Sequence, residues 1–149
     1  MTERRADMRA STVAVLLAMA LVVIDAGFVN VALPTISKSL QVPPSQAILV
    51  VSAYQAALLV GLLPCAHIAG RIGHRRLFIA GLAMFSIASI ACAFVVNLSM
   101  LVAVRAVQGL GGAAIMALGI ALLRSVFGAE GLGRAIGWNA LTVALCSAV

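Results

Sequence analysis

The chain reads as an all-α polytopic membrane protein, and three observations carry that reading. It is 64% hydrophobic and only 9% charged, with a mean hydropathy of +1.18, well above the range of soluble domains. Its apolar residues are gathered into blocks near the ~20 residues that a helix needs to cross ~30 Å of hydrocarbon. Its basic residues border those blocks instead of clustering on a soluble face.

Residues 1–10 are polar and carry Arg4, Arg5 and Arg9. The first span runs from Ser11 to Pro34, STVAVLLAMALVVIDAGFVNVALP. TISKSLQVPPSQ then joins it to the second span, with Pro43 and Pro44 enforcing an extended turn and Ser45 placed to cap the next helix. Gln46–Ala69 is the second span, followed by the loop GRIGHRR and a third span over Leu77–Val96. NLSM is a tight turn before the fourth span, Leu101–Leu123. RSVFGAEGLGRA returns with Gly128, Gly131 and Gly133 expected to break the helix. A fifth apolar segment, Ile136–Val149, reaches only ~21 Å at 1.5 Å per residue, too short to cross.

Charge orients these spans. Arg4, Arg5, Arg9, Arg71, Arg75, Arg76, Arg124 and Arg134 fall on one side, against Lys38 alone on the other. That asymmetry places the amino terminus and both arginine-bearing loops in the cytoplasm. The net charge of +6 therefore reports topology, and nucleic acid is excluded as a partner. A secretory signal peptide is excluded too, because the first apolar block is too long and holds Asp25 where cleavage would fall. Cys65, Cys92 and Cys146 lie in apolar spans without paired or metal-like spacing and read as small hydrophobes. His67 reads as interfacial and His74 as a solvated loop residue. No serine, cysteine or histidine constellation has a base or metal partner, so an enzyme is not expected.

The polar residues inside the spans carry the function. A carboxylate at membrane depth is unfavourable by about 2.5–3.5 kcal/mol on insertion scales and persists where it faces a wet cavity or a partner. Asp25 lies ~14 Å below the outer end of its span, and Arg105 ~6–8 Å below the same surface, by helical rise. The long arginine side chain spans most of that difference, so the two are expected to interact directly or through water. A proton-coupled site needs a carboxylate that alternates between such a cation and a desolvated, neutral setting. At 100° per residue Arg105, Gln108, Gly109, Gly112 and Met116 share one face. Gly109, Ala113 and Ala117 form a small-xxx-small stripe that admits a neighbouring backbone. Tyr54, Gln55, Trp138 and Asn139 are the further candidates for a cavity, against the alternative that the aromatic residues anchor an interface.

Three segments resemble the major facilitator superfamily, most closely its fourteen-helix drug:proton antiporters. VIDAGFVNVALPTI is similar to the first-helix signature at Asp25, Asn30, Val31, Ala32, Leu33, Pro34 and Ile36. LVAVRAVQGLGGAA resembles the fourth-helix motif at Arg105, Gln108, Gly109 and Gly111 to Ala113. AHIAGRIGHRR resembles the cytoplasmic loop motif at Arg71, Gly73, Arg75 and Arg76, with Ala66 where the family has glycine or alanine, but has Gly70 where the family usually has an acid and His74 where it often has arginine or tyrosine. Without the acid the inner gate is expected to hold less firmly. Read as topology anchors alone, the three arginines need no such role.

The resemblance implies the first four membrane helices and part of a fifth of a major facilitator fold, running on proton-coupled export of drug-like, amphipathic molecules by alternating access. It implies a proton gradient as energy source with no cofactor, and substrate bound between two halves built from inverted three-helix repeats. The partners so implied are the lipid bilayer, the remaining C-terminal helices of the same fold and, in the full-length form only, a small-molecule substrate. The setting implied is the bacterial cytoplasmic membrane. The family's next glycine–proline element would fall just beyond Val149, so the segment is expected to be inactive alone. The alternative reading is a non-transporting remnant or accessory subunit. A small four-helix exporter with a first-helix carboxylate is disfavoured by the strong orientation bias.

Overall fold

A computed structural model describes the backbone of residues 2–147 and the side chains of residues 12–123 together with Gly137. Four helices follow one another: α1 Thr2–Ser39, α2 Pro44–Ile72, α3 His74–Cys92 and α4 Leu98–Ser147. Thr12–Ser39, Pro44–Ile72, His74–Cys92 and Leu98–Leu123 are each long and apolar enough to cross a membrane. The all-helical membrane architecture expected from hydropathy is therefore present. The chain is an integral membrane protein by these spans.

The fourth span organises the rest. α4 packs most extensively on α2, then on α3 and on α1. Over half of its most apolar stretch is buried, against a third or less in the other helices. Glycines make this possible by removing side chains where helices meet. A Cβ on Gly111 would stand 2.8 Å from the Phe85 nitrogen and 2.9 Å from the Gly81 carbonyl of α3, and one on Gly61 of α2 would stand 2.8 Å from Ala113 Cβ. The stripe expected at Gly109 and Ala113 thus meets α2. Gly111 and Ala114 meet α3, and Ala117 is only half-buried.

The helix ends differ from the hydropathy boundaries for identifiable reasons. α1 does not stop at Pro34, which lies inside it. It stops where Gln41 adopts φ 51°, with Val42 N donating to Ser37 O (3.0 Å) and Gln41 N to Lys38 O (3.3 Å). That pair of bonds is a Schellman motif, followed by two prolines that cannot continue the helix. Ser45 does not cap α2; Pro43 holds that position with no side-chain bond, and Pro44 opens the helix. The GRIGHRR loop contracts to Gly73 alone, at φ 98° and ψ 137°, and His74 is the first residue of α3 instead of a loop residue. α3 ends at Cys92, ahead of the expected Val96. Asn97 opens α4, its Oδ1 accepting from Met100 N at 2.8 Å.

The largest correction falls at RSVFGAEGLGRA, where the three glycines were expected to break the chain. The backbone instead continues helically to Ser147. Glycine weakens a helix by about 1 kcal/mol without removing a hydrogen-bond donor, and no proline occurs between Leu98 and Ser147. Side chains there, including Arg124, Arg134, Trp138 and Asn139, lie outside the described residues, as do those of Arg4, Arg5 and Arg9.

Candidate functional site

All four helices contribute to one polar cluster inside the bundle. α1 supplies Asp25 and α4 supplies Arg105 and Gln108, one turn apart on the same face. Arg105 Nη1 donates to Asp25 Oδ2 at 2.6 Å. The same nitrogen donates to Gln108 Oε1 at 2.8 Å, and Gln108 Nε2 donates to Asp25 Oδ1 at 2.9 Å. The three side chains close a ring in which both carboxylate oxygens are satisfied. The direct interaction of Asp25 with Arg105 expected from their depths is present.

Burial makes this ring electrostatically strong. Arg105 is 3% exposed and the Asp25 side chain 17%, and Gln108 is fully buried. At low effective dielectric, a charge-assisted bond of this length is stronger than its surface equivalent. Removing one member of a buried pair leaves an uncompensated charge, unfavourable by about 3–5 kcal/mol. From α2, the Tyr54 ring lies under the guanidinium, 4.4 Å from Arg105 Cζ to the ring centroid. From α3, Cys92 Sγ donates to Gln108 Oε1 at 3.8 Å.

Asp25, Arg105, Gln108 and Cys92 face a cavity of about 380 Å³ that extends along α1 toward Ser39 and Leu40. Its lining includes Leu101 near the start of α4, and Phe28 and Ser89 also line it. Its size lies at the lower end of the small-molecule range. Among the described residues, no group of three or more histidine, cysteine or acidic residues is placed to hold a metal.

The remaining candidates separate into three groups. Gly109 and Gly112 are buried beneath Arg105, against Tyr54 of α2. Asn30, given by the first-helix motif, and Gln55 are both exposed and are not among the residues that line this cavity. Helical periodicity explains it: Asn30 stands about 140° round α1 from Asp25, and Gln55 about 100° round α2 from Tyr54. Tyr54 itself closes the cluster from beside the cavity, not as part of its lining. Pro34 is exposed within α1. Arg71, Arg75 and Arg76 are exposed at the far end, where Gly73, His74, Arg75 and Arg76 border a shallow hollow of about 510 Å³. His67 is exposed on α2. The residue that sequence reasoning missed is Cys92. A thiol among alanines and isoleucines is too weakly polar to stand out, and only its spacing of three from Ser89 marks a shared face.

The sequence profile of the major facilitator superfamily matches residues 15–149. The chain belongs to the major facilitator superfamily. Its relatives in that superfamily include the uncharacterized transporter YebQ of Escherichia coli K12, 39% identical over 134 residues that cover 90% of this chain and 29% of YebQ. Multidrug resistance protein Stp of Mycobacterium tuberculosis H37Rv is 35% identical over 127 residues, 84% of this chain and 24% of Stp. Cephamycin export protein CmcT of Amycolatopsis lactamdurans is 34% identical over 151 residues, 99% of this chain and 30% of CmcT. The chain thus spans less than a third of the length of these relatives. As a member of this superfamily it falls in a group of transporters, which are generally not enzymes.

Proposed function

We propose that this chain is the N-terminal part of a proton-coupled exporter of small amphipathic molecules that works by alternating access. The observation that carries the reading is the closed ring of Asp25, Arg105 and Gln108 beside a cavity. A membrane carboxylate held by a cation and open to a cavity on one side is suited to exchange its counter-ion for a proton. The printed functions of Stp and CmcT, multidrug resistance and cephamycin export, point to export and to organic substrates. The superfamily's substrate sites lie between two halves, so the segment acts with the remaining helices of such a fold and is inactive alone. The arginine asymmetry supports a cytoplasmic amino terminus in the bacterial cytoplasmic membrane, with the transmembrane proton gradient as energy source and no bound cofactor.

The test is efflux from the complete coding frame that carries this segment. In everted vesicles energised by a proton gradient, accumulation of a fluorescent amphipathic cation is expected for the native protein and lost in Asp25→Asn. Undiminished proton-coupled accumulation in that variant would sink the reading. A frame that closes directly after Val149 would instead favour a non-transporting remnant or accessory subunit.

A further inference from the structure

Arg105 has a neighbour that the carboxylate network does not explain. The Tyr54 ring stands 4.4 Å from its guanidinium carbon, and Tyr54 is buried, 2% exposed. Among the described residues its hydroxyl has no hydrogen-bond partner. The part of Tyr54 that meets the cation is its ring face. Two glycines of α4 seat it. At Gly109 the missing side chain admits the Tyr54 carbonyl, and at Gly112 a Cβ would stand 3.2 Å from Tyr54 Oη.

We propose that Tyr54 is a positioning residue whose ring face keeps the Arg105 guanidinium in place while Asp25 is neutral. The proposal deepens the proton-coupled reading and rests on it. The groups facing Arg105 are Asp25 from α1, Tyr54 from α2 and Gln108 from its own helix, with the Cys92 thiol of α3 on the far side of the glutamine oxygen. Asp25 is the anion among them. Once it takes a proton, the buried guanidinium keeps only the neutral Gln108 oxygen at 2.8 Å. A buried cation without a counter-charge is driven to move or to draw in water. An aromatic face attracts a desolvated cation through its ring quadrupole, and protonation of Asp25 leaves that quadrupole unchanged. Tyr54 therefore holds Arg105 through the part of a cycle in which the carboxylate does not, so that the returning carboxylate meets its partner in register.

The experiment uses the fact that the chain has a single tyrosine. With ring-labelled tyrosine and labelled arginine in lipid nanodiscs, a nuclear Overhauser contact between the ring and an arginine side chain is expected, assigned to Arg105 by its loss in Arg105→Lys. The contact persists in Asp25→Asn, which imitates the neutral carboxylate; its disappearance there overturns the proposal. In the complete transporter, Tyr54→Phe keeps the ring face and retains more proton-coupled ethidium export than Tyr54→Leu. Tyr54→Leu loses about tenfold, the scale of a desolvated cation–π contact. Equal export by the Phe and Leu variants also overturns it. Export that survives Asp25→Asn would instead remove the proton-coupled reading, while the magnetic-resonance contact still decides the position of Arg105.

Discussion

Gly109 of α4 stands so close to the carbonyl of Tyr54 in α2 that no side chain fits between them. An added Cβ would also meet Ala57 Cβ at 3.0 Å and Leu58 N at 3.2 Å. Backbone atoms cannot swing aside as a side-chain tip does, so the helices themselves must part. Gly109→Ala is therefore expected to destabilise the bundle by about 1–3 kcal/mol, the scale of overpacking. The control is Gly70→Ala, where a Cβ meets nothing within 4 Å. The thermal midpoint for loss of helical circular dichroism in detergent should fall for the first variant and hold or rise for the second, since alanine is the better helix former. Equal transitions would show that the close approach is not structural.

The ring of Asp25, Arg105 and Gln108 predicts an asymmetry between single and double changes. Asp25→Asn alone strands a guanidinium that is 3% exposed, and Arg105→Gln alone strands a carboxylate. Each is expected to lower stability by about 3–5 kcal/mol, whereas the double variant removes both charges together and recovers a large part of the loss. A double-mutant cycle on the folded fraction in detergent and denaturant reads the coupling directly. Additive losses would mean that the two side chains are held independently.

The spans and the pairing of Asp25 with Arg105 were legible in the sequence for the same reason. A polar group inside twenty apolar residues is conspicuous, and helical rise fixes its depth. Helix ends were less legible because hydropathy measures solvent preference, not backbone geometry. Pro34 looked like a stop, yet the chain reaches Gln41 before its φ turns positive. The place of Tyr54 under Arg105 was hidden because it depends on which face of α2 meets the glycines of α4. That relationship between two helices has no signature in either one alone. Cys92 was passed over on polarity, although its helical phase sets it on the face of α3 that meets Gln108.

Gln41 holds a left-handed conformation, φ 51°, at the end of α1. A non-glycine residue there is strained by about 1–2 kcal/mol, which glycine avoids. Gln41→Gly keeps the bonds from Val42 N to Ser37 O and from Gln41 N to Lys38 O, and should raise stability by up to about 1 kcal/mol after its own entropy is counted. Chemical denaturation of the detergent-solubilised chain measures it. A destabilised variant would show that the glutamine side chain contributes more than the backbone strain removes.

Gly70 lies in the last turn of α2, next to Arg71 in sequence and close in sequence to Arg75 and Arg76. A side chain at that position meets nothing within 4 Å, while Arg71, Gly73, Arg75 and Arg76 surround the start of α3. Three basic residues crowd the junction, two of them in the first turn of α3, where the helix dipole is itself positive. An acidic residue at 70 would relieve that repulsion and replace a glycine in the last turn of α2. Gly70→Asp is therefore expected to stabilise the α2–α3 junction by about 0.5–1 kcal/mol at low salt, with the gain shrinking as ionic strength rises. Gly70→Asn separates the two contributions, since it fills the same space without charge. Hydrogen exchange at the amides of residues 74–78 reads the junction locally. Equal protection in the Asp and Asn variants, or a gain that survives high salt, would assign the effect to helix propensity and remove charge from the explanation.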